Sequence, residues 1–345
     1  MLQNIFDLDL DDLQKLMLSW NEPDYRASQI WEGLYKNLWI APEEFSNIPL
    51  PLRAKLSKSY RFSGLSSEKR LSSSDGYTTK FLFKLSDGKA IETVIMEYSD
   101  RVTVCISSQV GCGMGCSFCA TGNMGYSRNL SSGEIIEQVI KIAREIRDDN
   151  KQLTNVVFMG MGEPFQNYNS VLAAVRTLNN SRGFGMGARR FTISTVGLVP
   201  GIKQFTEDNT QINLAVSLHA ADDDLRSSFM PINKKYGINE LMRTCDDYIK
   251  TTNRRVTIEW ALIDDVNDTS IQAHKLSELV RNKLYHVNLI QLNPVKHYAG
   301  MPSADDKAKA FQKILSDAGV PCTIRLRRGI DISAGCGQLA SSVGN

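Results

Sequence analysis

From Gly111 to Gly122 the chain reads Gly-Cys-Gly-Met-Gly-Cys-Ser-Phe-Cys-Ala-Thr-Gly. Three of its seven cysteines, Cys112, Cys116 and Cys119, fall in this stretch with the spacing C-x3-C-x2-C, and the rest of the chain has to be organised around them. Three thiols so close cannot all pair with one another, and the geometry of adjacent turns resists disulfides. They can converge on one metal centre. Structural zinc takes four ligands, and no Cys or His stands near enough in sequence to be an obvious fourth. An iron–sulfur cube also takes four, but an open iron is useful where that iron must hold a substrate. The glycines let the backbone curl tightly and turn N–H groups toward cluster sulfides. The loop therefore points to an iron–sulfur centre, with structural zinc as the alternative.

A chain of 345 residues accommodates one large barrel and a small appendage. Its apolar and charged fractions, 42% and 23%, are ordinary for a globular protein, so a sizeable core is expected. No apolar run approaches the ~18 residues a membrane span needs. Asp7, Asp9, Asp11 and Asp12 stand where an export leader would be basic and then apolar, so the expected location is cytoplasmic. Cysteines concentrated in one loop suit a reducing compartment with metal or redox chemistry. The formal charge of +2 decides little, but basic pairs recur at Arg189-Arg190, Lys234-Lys235, Arg254-Arg255 and Arg327-Arg328. Each is either a phosphate contact or a solvated loop.

Residues 1–75 read as a helical accessory domain. Leu10, Leu13, Leu16 and Met17 fall at helical spacing, as do Ala27, Ile30, Trp31 and Leu34 in a second helix starting near Asp24. Pro42, Pro49 and Pro51 punctuate the approach to a basic stretch with Arg53, Lys55, Lys58 and Arg61. Trp20, Tyr25, Trp31, Tyr35 and Trp39 among these charges fit either a packing core or an RNA grip. Ser63 to Gly76, rich in Ser and Gly, reads as a linker. A hairpin extension over 76–100 follows, with strands at 78–85 and 90–97 joined by Ser86-Asp87-Gly88.

From 101 to 345 the pattern is strand, loop, helix, repeated. Strands are expected near 102–107, 154–159, 190–195, 212–218, 255–262, 286–291 and 321–326. Helices are expected near 169–179, 222–228, 238–252, 269–283 and 303–318, besides one that follows the capping box Ser131-x-x-Glu134. Repeated βα units imply an α/β fold with a parallel sheet and a site at the C-terminal ends of its strands.

The cysteine loop, with Phe118 just before its last thiol, resembles the signature of the radical S-adenosylmethionine (radical SAM) superfamily, whose fold is a partial (β/α)6 barrel. Met159-Gly160-Met161-Gly162-Glu163-Pro164, Ser194-Thr195-Val196-Gly197, Ser217-Leu218-His219 and Leu292-Asn293-Pro294 each end a strand. Together with Gly329-Ile330-Asp331-Ile332-Ser333-Ala334-Gly335-Cys336-Gly337-Gln338-Leu339, they resemble the RlmN/Cfr family of RNA methyltransferases over nearly the full length. The usual Asp-Ala-Ala-Cys of that closing stretch is here Ser-Ala-Gly-Cys, which keeps the thiol.

The resemblance implies a 4Fe-4S cluster on Cys112, Cys116 and Cys119, with SAM on the open iron. Gly162, Glu163, Ser194, Ser217, Leu218, His219 and Asn293 would complete the SAM pocket. It further implies two SAM per turnover. The first methylates Cys336; the second yields a 5′-deoxyadenosyl radical that takes a hydrogen from the S-methyl group. The methylene radical adds to an adenine ring carbon and joins protein to RNA. Glu92 would remove the ring proton, and Cys105 would release the product by forming a transient disulfide with Cys336. The substrates implied are 23S ribosomal RNA at the peptidyl-transferase centre and some transfer RNAs beside the anticodon. An external electron donor of flavodoxin or ferredoxin type and a monomeric state are also implied.

Pro164 matches the branch that methylates adenine C2, whereas Asn21-Glu22-Pro23-Asp24-Tyr25-Arg26 and Gly329-Ile330-Asp331 look like the Cfr branch, which methylates C8 and confers antibiotic resistance. A non-enzymatic metal-containing RNA-binding protein would have no need of Cys336 and Cys105 beside a Gly-Glu-Pro turn. A radical enzyme acting on a small molecule would have no need of the basic pairs. Cys245, in a helical run, and Cys322, entering a strand, read as structural.

Overall fold

The computed structural model describes residues 2–340. Its main sheet has ten strands: β1 (Leu65–Ser72), β2 (Thr78–Leu85), β3 (Ala90–Glu97), β4 (Val102–Cys105), β5 (Asn155–Phe158), β6 (Phe191–Thr195), β7 (Asn213–Ser217), β8 (Val256–Leu262), β9 (Tyr285–Gln291) and β10 (Cys322–Ile324). They lie side by side in chain order. The first four form an antiparallel meander, and from β4 onward every neighbouring pair is parallel. The two ends of the sheet do not meet, so the barrel is partial and open along one side.

The hairpin of β2 and β3 and the βα alternation appear as expected, and Ser131 and Glu134 form the anticipated capping box. The helix they start, Ser132–Asp148, buries Ile135, Ile136, Val139, Ile140, Ala143 and Ile146 against the sheet. One expectation fails, and one helix was not anticipated. The stretch read as a linker contains β1, paired along its length with β2. Only Leu65 of that strand is buried, and Glu68, Lys69 and Arg70 protect an exposed edge, so there is no apolar alternation to reveal it. The accessory boundary at 75 therefore moves back, since the last helix of the N-terminal region ends at Ser59. A helix over Val199–Glu207 was also missed. Pro200 falls in its first turn, where a proline's missing N–H costs nothing.

Three helices, Leu10–Ser19, Tyr25–Tyr35 and Leu50–Ser59, make up the N-terminal region. Trp31 and Tyr35 are core residues, whereas Tyr25 is exposed, so most of this aromatic content serves packing. The region is fastened to the barrel through Glu137, a fully buried carboxylate on the helix Ser132–Asp148. Glu137 accepts hydrogen bonds from Asn4 Nδ2 (3.1 Å) and the N–H groups of Gly64 (2.8 Å) and Leu65 (3.0 Å), which offset the cost of its burial. No helix among the described residues is long and apolar enough to cross a membrane.

Candidate active site

Beyond β4 the chain forms a short ladder, Gln109–Gly111 against Tyr126–Asn129, and the cysteine loop is the segment enclosed between those strands. Backbone bonds fix its shape: Cys112 N–H to Gly125 O at 2.9 Å, Ser117 N–H to Phe229 O at 3.0 Å and Cys119 N–H to Cys116 O at 3.1 Å. All three thiols are free and line one cavity at the C-terminal ends of the parallel strands. They are not gathered within 4.8 Å of one another. Thiolates on a single tetrahedral zinc would sit roughly 3.8 Å apart.

Burial pushes the Cys112 thiol up to about 12 and raises Cys116 and Cys119 as well. Thiols so placed stay protonated unless a strong cation displaces the proton, which is what a metal cluster does. Behind them lies Arg226, wholly buried and without a carboxylate in its hydrogen-bond set. Its guanidinium donates to Leu218 O (3.0 Å), Asn233 Oδ1 (2.8 Å), Val196 O (2.7 Å) and Ser217 O (3.0 Å). Its charge favours the thiolate form of Cys116. Sequence reading missed Arg226, because nothing local distinguishes one arginine in a helix.

The cavity also gathers Gly162, Glu163, Ser194, Ser217, His219, Asn293 and Cys336. Gly162 has φ +105°, and a Cβ there would meet Gln109 Cβ at 2.6 Å, so only glycine fits. Glu163 accepts from Phe165 N–H (3.0 Å) and Val196 N–H (2.9 Å), yet burial pushes its carboxyl up to about 7. A cationic amino group entering the cavity would return it to the ionised state. His219 Nδ1 accepts from Ala261 N–H at 2.8 Å, which assigns the proton to Nε2, and burial holds it neutral with its pKa lowered to about 3. Asn293 donates to Cys336 O (3.1 Å) while its own Oδ1, buried, has no partner. An orphaned acceptor in a cavity walled by serines and a carboxylate fits the amino and ribose donors of SAM. Leu218 does not join them. It is buried, and its N–H and carbonyl are spent on Glu259 O and the Arg226 guanidinium, so the structure gives it no free group to offer a ligand.

Cys336 lies on the closing loop and reaches two cavities. One is the cavity of the cysteine loop; the other is smaller and lined by Cys105, Met159 and Arg325 among others. The loop is pinned by Ala120 N–H to Gly337 O (2.7 Å) and Thr121 Oγ1 to Leu339 O (2.6 Å). Cys105, buried on β4, has its thiol raised by burial and then by Cys336 nearby.

Glu92 is elsewhere. It is buried on β3, paired with Lys80 Nζ at 3.0 Å, and it accepts from Ala340 N–H at 3.0 Å; it lines neither cavity. Burial raises its pKa, with Lys80 opposing. Lys80 also donates to Ser333 O at 3.0 Å, so the pair clamps the loop that carries Cys336. A base and a clamp predict different mutants. If Glu92 takes the ring proton, Glu92→Gln stops turnover while Lys80→Met only slows it. Equal losses of about tenfold in both, with loop protection from hydrogen exchange reduced alike, would leave Glu92 as clamp alone.

The Radical SAM superfamily description matches residues 106–276, and the description "Ribosomal RNA large subunit methyltransferase N-terminal domain" matches residues 3–61. A probable dual-specificity RNA methyltransferase RlmN of Chloroflexus aurantiacus is 46% identical over 97% of this chain and 92% of its own. Dual-specificity RNA methyltransferase RlmN 1 of Myxococcus xanthus is 44% identical over 99% and 95%. A crystal structure of a radical SAM methyltransferase from Sphaerobacter thermophilus superposes with a TM-score of 0.96 at 46% identity, covering 98% of this chain and 99% of that one.

Proposed function

The chain belongs to the RlmN family of radical SAM RNA methyltransferases, and from that premise we propose that it methylates C2 of an adenosine in 23S ribosomal RNA and in some transfer RNAs. The full-length relatives carry the RlmN name, which favours C2 over the C8 chemistry of the Cfr branch. When bound, the 4Fe-4S cluster and SAM supply a carbon-centred radical and a transferable methyl group. Cys112, Cys116 and Cys119 would hold the cluster; Gly162, Glu163, Ser194, Ser217, His219 and Asn293 would hold SAM, two molecules being used per turnover.

The observation that carries this reading is the position of Cys336 between two cavities, with the cluster thiols on one side and Cys105 on the other. An adenine ring carbon of amidine type is electrophilic and does not attack a methyl sulfonium, so direct displacement fails. A thiol that first accepts the methyl and then presents it as a carbon radical reverses the polarity. Cys336 can do this facing the cluster. Cys105 can then attack the Cys336 sulfur from the far side. Glu92 is assigned the ring proton, which requires Ala340 to release its carboxylate, while the odd electron of the adduct returns to the one-electron redox centre that supplied the cleavage electron.

Anaerobic incubation with SAM, reductant and a ribosomal RNA fragment tests this, followed by nucleoside chromatography and mass spectrometry. Formation of 2-methyladenosine is expected. The isomer 8-methyladenosine, of equal mass and different retention, would move the chain to the Cfr chemistry; an unmodified adenosine would end the reading.

A further inference from the structure

The base of the barrel is not packed shut. In a closed (β/α) barrel the interior is filled by layers of branched apolar side chains. Here the cavity at the N-terminal end of the parallel strands is lined by Thr192, Asn213, Thr257 and Asn288, all half-buried. At its mouth two of the basic pairs converge. Arg189 donates to Gln211 Oε1 at 3.1 Å and Arg254 to the same oxygen at 3.0 Å, so the two guanidinium groups lie within about 6 Å of each other. Arg254 also donates to Asn213 Oδ1 at 2.8 Å. Neither arginine has a carboxylate among its hydrogen-bond partners, and Arg255 lines the same mouth. Two like charges held together by one neutral amide repel each other, and a bound anion removes that cost.

Shared lining residues tie this cavity to those of the chemistry. Glu259 lines both the basal cavity and the cavity of the cluster thiols, and Arg325 lines both the basal cavity and that of Cys105 and Cys336. Glu259 is 5% exposed; one carboxylate oxygen accepts from Asn288 Nδ2 at 3.0 Å and the other has no partner. An orphaned acceptor on a residue that lines both cavities is suited to a donor such as a nucleobase amino group.

We infer that Arg189 and Arg254, bridged by Gln211, form a phosphodiester-binding subsite at the base of the barrel that holds the RNA strand while its target nucleotide reaches the cavity of Cys336. The inference rests on the RNA-methyltransferase reading and adds the direction of approach. Lys313, paired with Asp317 on the outer helix Asp305–Asp317, provides a control charge.

Fluorescence anisotropy of the cluster-loaded full chain with a labelled ribosomal RNA fragment, over a range of salt concentrations, tests it. Arg189→Gln with Arg254→Gln is expected to weaken binding about tenfold near physiological salt and to flatten the slope of log K against log salt by about 1 to 2. The loss should be the same for a fragment lacking the target adenosine. Gln211→Glu, which keeps both arginines and supplies an internal counter-charge, should weaken RNA binding similarly while leaving the fold and cluster absorbance intact. Lys313→Gln should bind as the wild type does. If the wild type binds RNA and both the double variant and Gln211→Glu bind it equally well with unchanged slope, the subsite is wrong and the methyltransferase reading stands. A wild type that binds no RNA at any salt would overturn both.

Discussion

Replacing Cys105 by alanine is expected to turn the enzyme into a trap for its own substrate. In the mechanism proposed above, once the methylene carbon of Cys336 has joined the adenine, the protein is tethered to RNA through a thioether. Release requires a nucleophile at the Cys336 sulfur: a new sulfur–sulfur bond forms, the sulfur–carbon bond breaks, and its electron pair leaves on the product carbon, which takes a proton. Cys105 is the free thiol that shares the small cavity with Cys336. Burial and then the neighbouring Cys336 push its thiol up, so its proton must be removed before it can attack. Turnover in Cys105→Ala should fall more than about 10³-fold, as for loss of a covalent-catalysis group. A denaturing gel should show protein joined to RNA. The band must vanish when Cys336→Ala is added, since no methyl carrier remains. Normal turnover in Cys105→Ala would remove this thiol from the resolving role, and an adduct surviving in the double variant would remove Cys336.

The barrel was legible where a strand buries one face or both, because alternation and flanking turns then mark it; β2, β3 and β5 to β9 are of this kind. It was illegible at β1, a charged edge, and at Val199–Glu207, where helix-compatible Pro200 looks like a breaker. The same division runs through the site. Motifs at strand ends placed Gly162, Glu163, Ser194, Ser217, His219 and Asn293 around one cavity, since parallel strands in chain order bring successive loops together. Leu218 sits in the same motif, but pleating turns it into the core. Arg226, Glu259 and Arg325 carried no signal, being single charged residues whose partners are far off in sequence. Only the register of the sheet places Glu259 beside Asn288, and only the curvature of the open barrel puts Arg325 between two cavities. Glu92 shows the converse. The motif gave it a chemical role, while packing shows a carboxylate already engaged by Lys80 and Ala340.

Removing one cluster thiol should abolish the chemistry without unfolding the chain. In Cys116→Ala the loop keeps its shape, because Cys112, Ser117 and Cys119 are held by backbone N–H groups and not by sulfur. The buried methyl replaces a thiol that burial keeps protonated in the absence of metal, so no stranded charge results. Unfolding of the cluster-free protein should therefore shift by only about 1 kcal/mol. Cluster binding is different. Two thiolates cannot fix three irons, so iron and sulfide should fall from about four per chain to near zero, with the visible absorbance. SAM cleavage and methylation should fall below about 10⁻³ of wild type. Cys245→Ala and Cys322→Ala are the matched controls. Cys245 is packed in the helix Ile238–Thr252 and Cys322 opens β10, and neither lines the cavities. Both should keep a full complement of iron. Retention of iron by Cys116→Ala, or its loss from either control, would place the cluster on a different set of thiols.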